Sequence, residues 1–169
     1  MAERVKLAPP VVPPTERIQS TFKQLSHAAV ELNTASDELS KPIVICEAAL
    51  KTLNLGVSAW VELSAGGDGG YWWDRGIGYT QLKDRWGVAL RAREGHLASD
   101  EPDTDTWPFN EAPRWMRIEA VAKLPDLLEA LLKQAEDTTQ KIRKKIAQAN
   151  ELAEAISKIA VDPAEDGRK

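Results

Sequence analysis

Two histidines and one cysteine are the side chains of this 169-residue chain best suited to bind a metal or act as a nucleophile. His27 falls in a helical pattern with no second ligand at a useful spacing, and His96 stands near an acidic segment. A metal at His96 is conceivable, but isolated histidines are more often exposed side chains without a ligand. Cys46 lies on an apolar helical stripe, which predicts a buried small residue and not a nucleophile. We predict no metal site and no cofactor.

The other motifs that could support catalysis are incomplete. The acidic residues 100–111 lack, in any one frame, the glycine and the final glutamate of a calcium-binding EF-hand loop. Gly76-Ile-Gly78 lacks the third glycine and the following helix of a dinucleotide-binding turn. The sequence contains neither a phosphate-binding lysine loop nor a nucleophile elbow. We therefore predict that the chain is not an enzyme, and an active site in the loop of residues 96–111 is the least favoured alternative.

Tryptophan and arginine offer the chemistry of protein recognition. The chain has six tryptophans, and Trp60 and Trp72 fall on the same predicted sheet face as Arg91 and Arg93. Exposed tryptophan and arginine are enriched among the residues that dominate binding energy at protein interfaces. We predict a partner-binding surface at these four positions. A purely structural interpretation stays open, in which the tryptophans cover strand glycines and the arginines pair with aspartate.

A basic cluster on the last predicted helix is the second candidate site. Lys141, Arg143, Lys144 and Lys145 could contact phosphate groups. Acidic residues flank the cluster, which is typical of a solvated helix face with i,i+4 ion pairs. The net charge of -4 and the pI of about 5.3 also weigh against a dedicated nucleic-acid-binding protein. A nucleic-acid-associated regulatory factor is thus the alternative hypothesis, and we do not expect nucleic acid to be the partner.

Two long helical patterns frame the segment that carries the tryptophans. The first has an apolar stripe with alternating steps of four and three residues, at Ile18, Phe22, Leu25, Ala29, Leu32, Ser36, Leu39, Ile43, Cys46, Leu50 and Leu53. Pro42 interrupts this stripe without changing its phase, which predicts a kink or a short break. The second stripe comprises Leu128, Leu131, Ala135, Thr138, Ile142, Ile146, Ala149, Ala153, Ile156 and Ala160. Because both helices would expose an apolar stripe, we predict an antiparallel hairpin that forms a homodimer through a four-helix bundle. The alternative is a monomer in which the β-insert folds back along the helices.

Between the helices, the apolar period changes from about 3.5 to 2, which indicates β-strands. One strand starts at Val57, and the glycine-rich residues 66–70 predict a turn after it. A two-residue loop at Lys83-Asp84 would place Gln81 opposite Trp86, Tyr79 opposite Val88, and Ile77 opposite Leu90.

The face opposite these mostly apolar pairs would carry glycines, with charged residues beside them. The glycines include Gly76 and Gly78, and the charged residues are Asp74, Arg91 and Arg93. We predict that Trp60 on the neighbouring strand covers Gly76, as aromatic side chains cover strand glycines elsewhere.

The predicted fold is α+β, with a long antiparallel coiled-coil-like helical hairpin and a small three-stranded antiparallel sheet and short helix inserted at one end. The segments are a disordered proline-rich arm (1–14), the first long helix (15–56), a three-stranded β-meander (57–93), an acidic loop with a short helix (94–124), the second long helix (125–161) and a disordered tail (162–169). No apolar stretch approaches the ~20 residues that cross a bilayer, and no secretion signal is expected. We expect a cytoplasmic interaction, scaffold or regulatory protein without a membrane partner.

Overall fold

The computed structural model describes residues 13–98 and 101–161. Its elements are helix α1 (Pro14–Leu53), strands β1 (Ala59–Asp68), β2 (Tyr71–Leu82), β3 (Arg85–His96) and β4 (Asp103–Pro108), a 3-10 turn (Phe109–Glu111), and helices α2 (Arg114–Val121) and α3 (Leu124–Val161). Most of the predicted arm (residues 1–12) and the whole predicted tail (162–169) lie outside the described residues. The chain divides into two compact units, of which the first ends at Pro42 and the second begins at Ile43.

The fold class is α+β, with three α-helices and one four-stranded antiparallel sheet among the described residues. The prediction of a three-stranded sheet is wrong, because residues 103–108 form β4 along the edge of β3 and not part of a loop. Their acidic side chains suggested a solvated segment. An edge strand tolerates such charges, since one of its sides is not paired with another strand.

The strand order β1-β2-β3-β4 follows the chain, so each strand pairs with its sequence neighbours. The register predicted for β2 and β3 is confirmed: Ile77 faces Leu90, and Tyr79 faces Val88. The connecting turn consists of Lys83 and Asp84, with φ angles of 46° and 66°. A two-residue hairpin with two left-handed residues matches the natural twist of the strands, which explains why this short loop fixes the register.

Strand β1 is longer than its predicted counterpart. Its pairing with β2 is irregular between Glu62 and Ser64, and it then continues through Gly66 and Gly67 to Asp68. The predicted turn over residues 66–70 is therefore confined to Gly69 and Gly70, which adopt φ angles of 58° and 92°. A β-bulge of this kind bends the strand and increases its twist.

The core of the second unit lies between the inner face of the sheet and the helices. It contains Ile43 and Leu50 of α1, Ile77, Tyr79, Val88 and Leu90 of the sheet, Phe109, Met116 and Ala120 of the following turn and helix, and Leu127 and Leu131 of α3. Burial of such side chains contributes ~1.5–3 kcal/mol each relative to exposure. The sheet and the first turns of α3 are thus held by one apolar cluster.

Helix α1 continues through Pro42 and ends at Leu53, after which Asn54 has a φ angle of 46°. In the second unit, Ile43, Glu47 and Leu50 share one helical face. Ile43 and Leu50 are buried, while Glu47 Oε1 accepts a hydrogen bond of 2.8 Å from the backbone N–H of Val88. This N–H lies beyond the end of β4, which stops opposite Ala89. The Glu47 carboxylate therefore accepts the hydrogen bond that a neighbouring strand would otherwise accept.

Three details of the predicted apolar faces are wrong. Cys46 is exposed, because it lies off the helical face that points into the core. Helix α2 buries Met116 and Ala120 and exposes Trp115, Ile118 and Val121, although the spacing of the latter three by three residues predicts them as its apolar side. Helix α3 buries Leu127, whereas Leu128 of the predicted stripe is 52% exposed.

Replacing Leu131 by alanine should destabilise the second unit by about 2–5 kcal/mol, the usual effect of removing a buried leucine side chain. Leu131 is 2% exposed, whereas its neighbour Leu132 is 61% exposed. Leu132→Ala is therefore the matched control and should change stability by less than about 0.5 kcal/mol. Urea unfolding followed by circular dichroism measures both variants. Equal losses in the two variants would contradict the assigned core.

Candidate functional site

The four residues predicted to bind a partner lie on one face of the sheet, opposite the core. Trp60 pairs with Gly78, Trp72 with Gly95, Gly76 with Arg91, and Asp74 with Arg93. Side chains of cross-strand partners point to the same side of a sheet, and every second residue of each strand joins them. We call the face that carries Trp60, Trp72, Asp74, Arg91 and Arg93 the outer face.

Trp60 lies flat across strand β2. A Cβ atom on Gly78 would overlap the indole ring, and one on Gly76 would lie 3.7 Å from its Cε3 atom. The ring therefore covers Gly78 more closely than the predicted Gly76, because Gly78 is its direct partner. Arg91 reaches across Gly76 from β3, and its Cζ atom lies 4.2 Å from the Trp60 ring centroid. The indole is thus layered between a glycine and a guanidinium group, a favourable cation–π arrangement.

Trp72 repeats this layering at the other end of the outer face. A Cβ atom on Gly95 would lie 3.3 Å from the Trp72 ring, and Arg93 Cζ lies 5.9 Å from the ring centroid. Arg93 also forms an ion pair with Asp74, with Nη2 2.6 Å and Nε 3.0 Å from Asp74 Oδ2. This hydrogen bonding raises the pKa of Arg93 above its ordinary value.

Arg91 has a different electrostatic environment from Arg93. It is half-buried, and its Nε atom is buried without a hydrogen-bond acceptor. Burial, and to a smaller extent the positive charge of Arg93, lower the pKa of Arg91, while the negative charge of Asp74 acts in the opposite direction. The arginine is still fully charged at neutral pH. Of the two guanidinium groups that are stacked on tryptophans of the outer face, one is therefore neutralised by a carboxylate and one is not.

A third stack of the same kind lies on the inner face, beyond the core. A Cβ atom on Gly66 would lie 2.8 Å from the Trp73 ring. The Cζ atom of Arg75 lies 4.5 Å from the Trp73 ring centroid and 5.1 Å from that of Trp115 on α2. Arg75 is therefore placed between two indoles, which explains why the exposed Trp115 is not part of the core.

The structure does not bring the basic cluster near the outer-face residues of the sheet. Lys141, Arg143, Lys144 and Lys145 are exposed on α3. Lys141, Lys144 and Lys145 share one side of the helix, whereas residues two apart, such as Arg143, do not face the same way. Lys145 Nζ donates a 3.0 Å hydrogen bond to Gln148 Oε1. The cluster is a solvated stretch of helix in the described part of the chain.

The third candidate region, residues 96–111, is divided among several elements. His96 ends β3 and its ring centroid lies 5.4 Å from that of Tyr71, while residues 99 and 100 lie outside the described part. Among the described residues, no group of three or more histidine, cysteine, aspartate or glutamate side chains is placed to hold a metal ion. None of the helices in residues 13–98 and 101–161 has an apolar stretch long enough to span a bilayer.

Sequence reasoning identified the outer-face tryptophans and arginines but missed some of their partners. Gly95 beneath Trp72 and the placement of Arg75 between Trp73 and Trp115 were not predicted. The first follows from extending the β2–β3 register to Trp72 and Gly95, so the sequence contains that signal. The second depends on how α2 packs on the sheet.

The comparisons with known proteins give no family for this chain. No protein-family model, no curated protein and no solved structure matches it. Function must therefore be argued from the chemistry of the outer face and of the exposed helical stripes.

Gly78→Ala should destabilise the sheet by more than about 1 kcal/mol, because the new methyl group would overlap the Trp60 indole. Gly95→Ala is the matched control, since its Cβ atom would lie 3.3 Å from the Trp72 ring and requires a smaller adjustment. Thermal unfolding should rank wild type, Gly95→Ala and Gly78→Ala in decreasing stability. Trp60→Ala should reduce the stability of the Gly78→Ala variant by less than it reduces the stability of wild type. Equal losses in the two backgrounds would contradict the stack.

Proposed function

We propose that the chain is a non-enzymatic protein–protein interaction protein, with scaffold or regulatory roles, whose sheet presents a partner surface. The surface consists of Trp60, Trp72, Arg91 and Arg93 on the outer face. The single observation that carries the proposal is the guanidinium of Arg91, which is stacked on Trp60 and half-buried, yet has no carboxylate partner among the described residues.

Removing a cation from water costs free energy. A half-buried charge loses part of its hydration. Without a compensating interaction, it stabilises the fold no better than an apolar side chain would. Stacking on Trp60 offsets part of this loss, by ~0.5–2 kcal/mol. A partner that supplies an acceptor would offset the rest, and tryptophan and arginine together are typical of such binding sites.

Stacking of nucleic-acid bases is less well supported by the same geometry. Both ring faces of Trp60 are occupied, one by Gly78 and the other by Arg91. Single-stranded nucleic acids bind aromatic side chains through a free ring face. The basic cluster of α3 thus remains the only basis for the alternative role as a nucleic-acid-associated factor.

Charge reversal at Arg91 tests the partner surface. We expect Arg91→Glu to reduce binding of captured partner proteins at least tenfold, since a carboxylate would repel the acceptor that the guanidinium attracts. Arg85→Glu is the matched control, because Arg85 is an exposed arginine of the same strand and face outside the stacks. Partners are captured with wild-type protein from the native cell, then purified and measured by calorimetry. Equal affinities of both variants for every partner would refute the proposal.

We also propose that the long helices dimerise, with α1 and α3 paired as an antiparallel hairpin. In the first unit, α1 exposes Ile18, Phe22 and Leu25; in the second, α3 exposes Ile142, Ile146 and Ile156. Six exposed large side chains at helical spacing are costly in water and are typical of helices that associate. Two such hairpins would form a four-helix bundle, which buries both stripes.

Light scattering at micromolar concentration tests the dimer, for which we expect about twice the chain mass of 18.6 kDa. Ile146→Glu should yield a monomer, because it places a charge on the stripe. Gln148→Glu introduces the same charge off the stripe and should stay dimeric. A wild-type monomer would refute the dimer, and identical masses for the two variants would remove α3 from the interface.

A further inference from the structure

The three layered stacks differ in whether the arginine has a second partner and in which residue that partner is. Each has a glycine below, an indole in the middle and a guanidinium above, at Gly78–Trp60–Arg91, Gly95–Trp72–Arg93 and Gly66–Trp73–Arg75. Arg93 has Asp74 as a second partner, and Arg75 has Trp115. In the part of the chain that the structure describes, Arg91 has no second partner of either kind.

We propose that the missing partner of Arg91 is a carboxylate side chain of another protein, bound on the outer face by an acidic segment. This inference rests on the proposed function of the outer face and names the chemistry of its partner. The carboxylate would take the place at Arg91 that Asp74 takes at Arg93. It would accept hydrogen bonds from the terminal amino groups of the guanidinium, a geometry that planar guanidinium and carboxylate groups share.

No carboxylate of the described residues forms an ion pair with Arg91. Its cross-strand neighbours are Gly76 and Thr106, and the next residues of β3 on the same face are Ala89 and Arg93. Glu62, the partner of Gly76 on β1, lies in the same cross-strand row and on the same face, but no ion pair joins it to Arg91 in the described part of the chain. Asp74, the carboxylate whose charge acts on Arg91, is already bound by Arg93 through two nitrogen atoms.

The local charge favours an anion over an aromatic side chain as the partner. Arg93 lies two residues from Arg91 on the same face and contributes to lowering its pKa. An added carboxylate would reverse this effect, whereas an aromatic ring would stack on the guanidinium plane and leave its in-plane donors unpaired. Thr106, the cross-strand partner of Arg91 on β4, is exposed and lies on the same face.

A titration of the full chain with an acetylated, amidated hexaglutamate peptide tests the proposal. Hexaglutamine is the uncharged control. We expect saturable binding of hexaglutamate, with NMR shifts at the Arg91 side chain and the Thr106 amide. Arg91→Gln should weaken binding about tenfold, as expected for the loss of a charge-assisted contact. The matched variant Arg85→Gln should bind like wild type within about twofold.

The other arms separate alternative partners. Inorganic phosphate and a single-stranded oligonucleotide are added at the same concentration as hexaglutamate. If either binds at Arg91 more tightly than hexaglutamate, the proposed carboxylate is wrong. The proposal is also wrong if the binding of hexaglutamate does not saturate, or if Arg91→Gln and Arg85→Gln weaken this binding equally. If Arg91→Gln unfolds, Arg91→Lys keeps the charge without the planar fork, and undiminished binding by a folded Arg91→Lys also counts against the proposal.

The outcome is distinguishable from a failure of the proposed function itself. If Arg91→Glu abolishes binding of captured partners while hexaglutamate does not bind, the outer face serves a partner of different chemistry. If hexaglutamate binds at Arg91 and partner binding does not depend on Arg91, the anion site exists without the proposed role. If Arg91→Glu loses partner binding and Arg91→Gln loses hexaglutamate binding, both proposals are supported.

Discussion

The alternation of side chains along β2 and β3 is the constraint on which the rest of the structure depends. The two-residue turn at Lys83 and Asp84 places Ile77 opposite Leu90, and every other pair follows from it. A slip of one residue would turn the apolar set outward and bring Arg91 and Arg93 to the helices. The core and the candidate site are therefore two consequences of one register, and neither can form without the other.

The stacks solve a problem that strand glycines create. Glycine has no side chain to pack, so it weakens a strand and leaves its backbone exposed. Trp60 and Trp72 restore the missing contacts from neighbouring positions, and the arginines above them keep the indoles from presenting a bare apolar surface. A sheet face is in this way covered by side chains of its own strands. The covering layer ends in guanidinium groups, so a partner on this face would meet positive charge.

The sequence was sufficient wherever period and turn length alone decide the outcome. It placed Trp60, Trp72, Arg91 and Arg93 on one face because strand residues alternate and the β2–β3 loop has two residues. It failed where packing decides. The pairing of Trp60 with Gly78 depends on the irregular pairing between Glu62 and Ser64, which shifts the register of β1 by one residue from the one that the turn at Gly69 and Gly70 would set.

Helix faces and the fourth strand were ambiguous for related reasons. Leu127 and Leu128 are adjacent leucines, and either could begin the apolar stripe until the sheet selects Leu127. Helix α2 is too short for its period to distinguish Met116 from Trp115 as the buried side. Strand β4 was not predicted, because Asp103 and Asp105 give it no apolar pattern, and an edge strand does not require one.

The positions of the two proposed surfaces in the second unit are compatible with simultaneous use. The first turns of α3 pack against the inner face through Leu127 and Leu131, on the side of the sheet opposite Arg91. The exposed residues Ile142 and Ile146 lie further along the same helix. Apolar stripes favour association with another apolar helix, whereas a half-buried cation discriminates against any partner that lacks an acceptor. Self-association would therefore depend on the burial of apolar side chains, and recognition of an acidic partner on electrostatic attraction. Salt should weaken only the second.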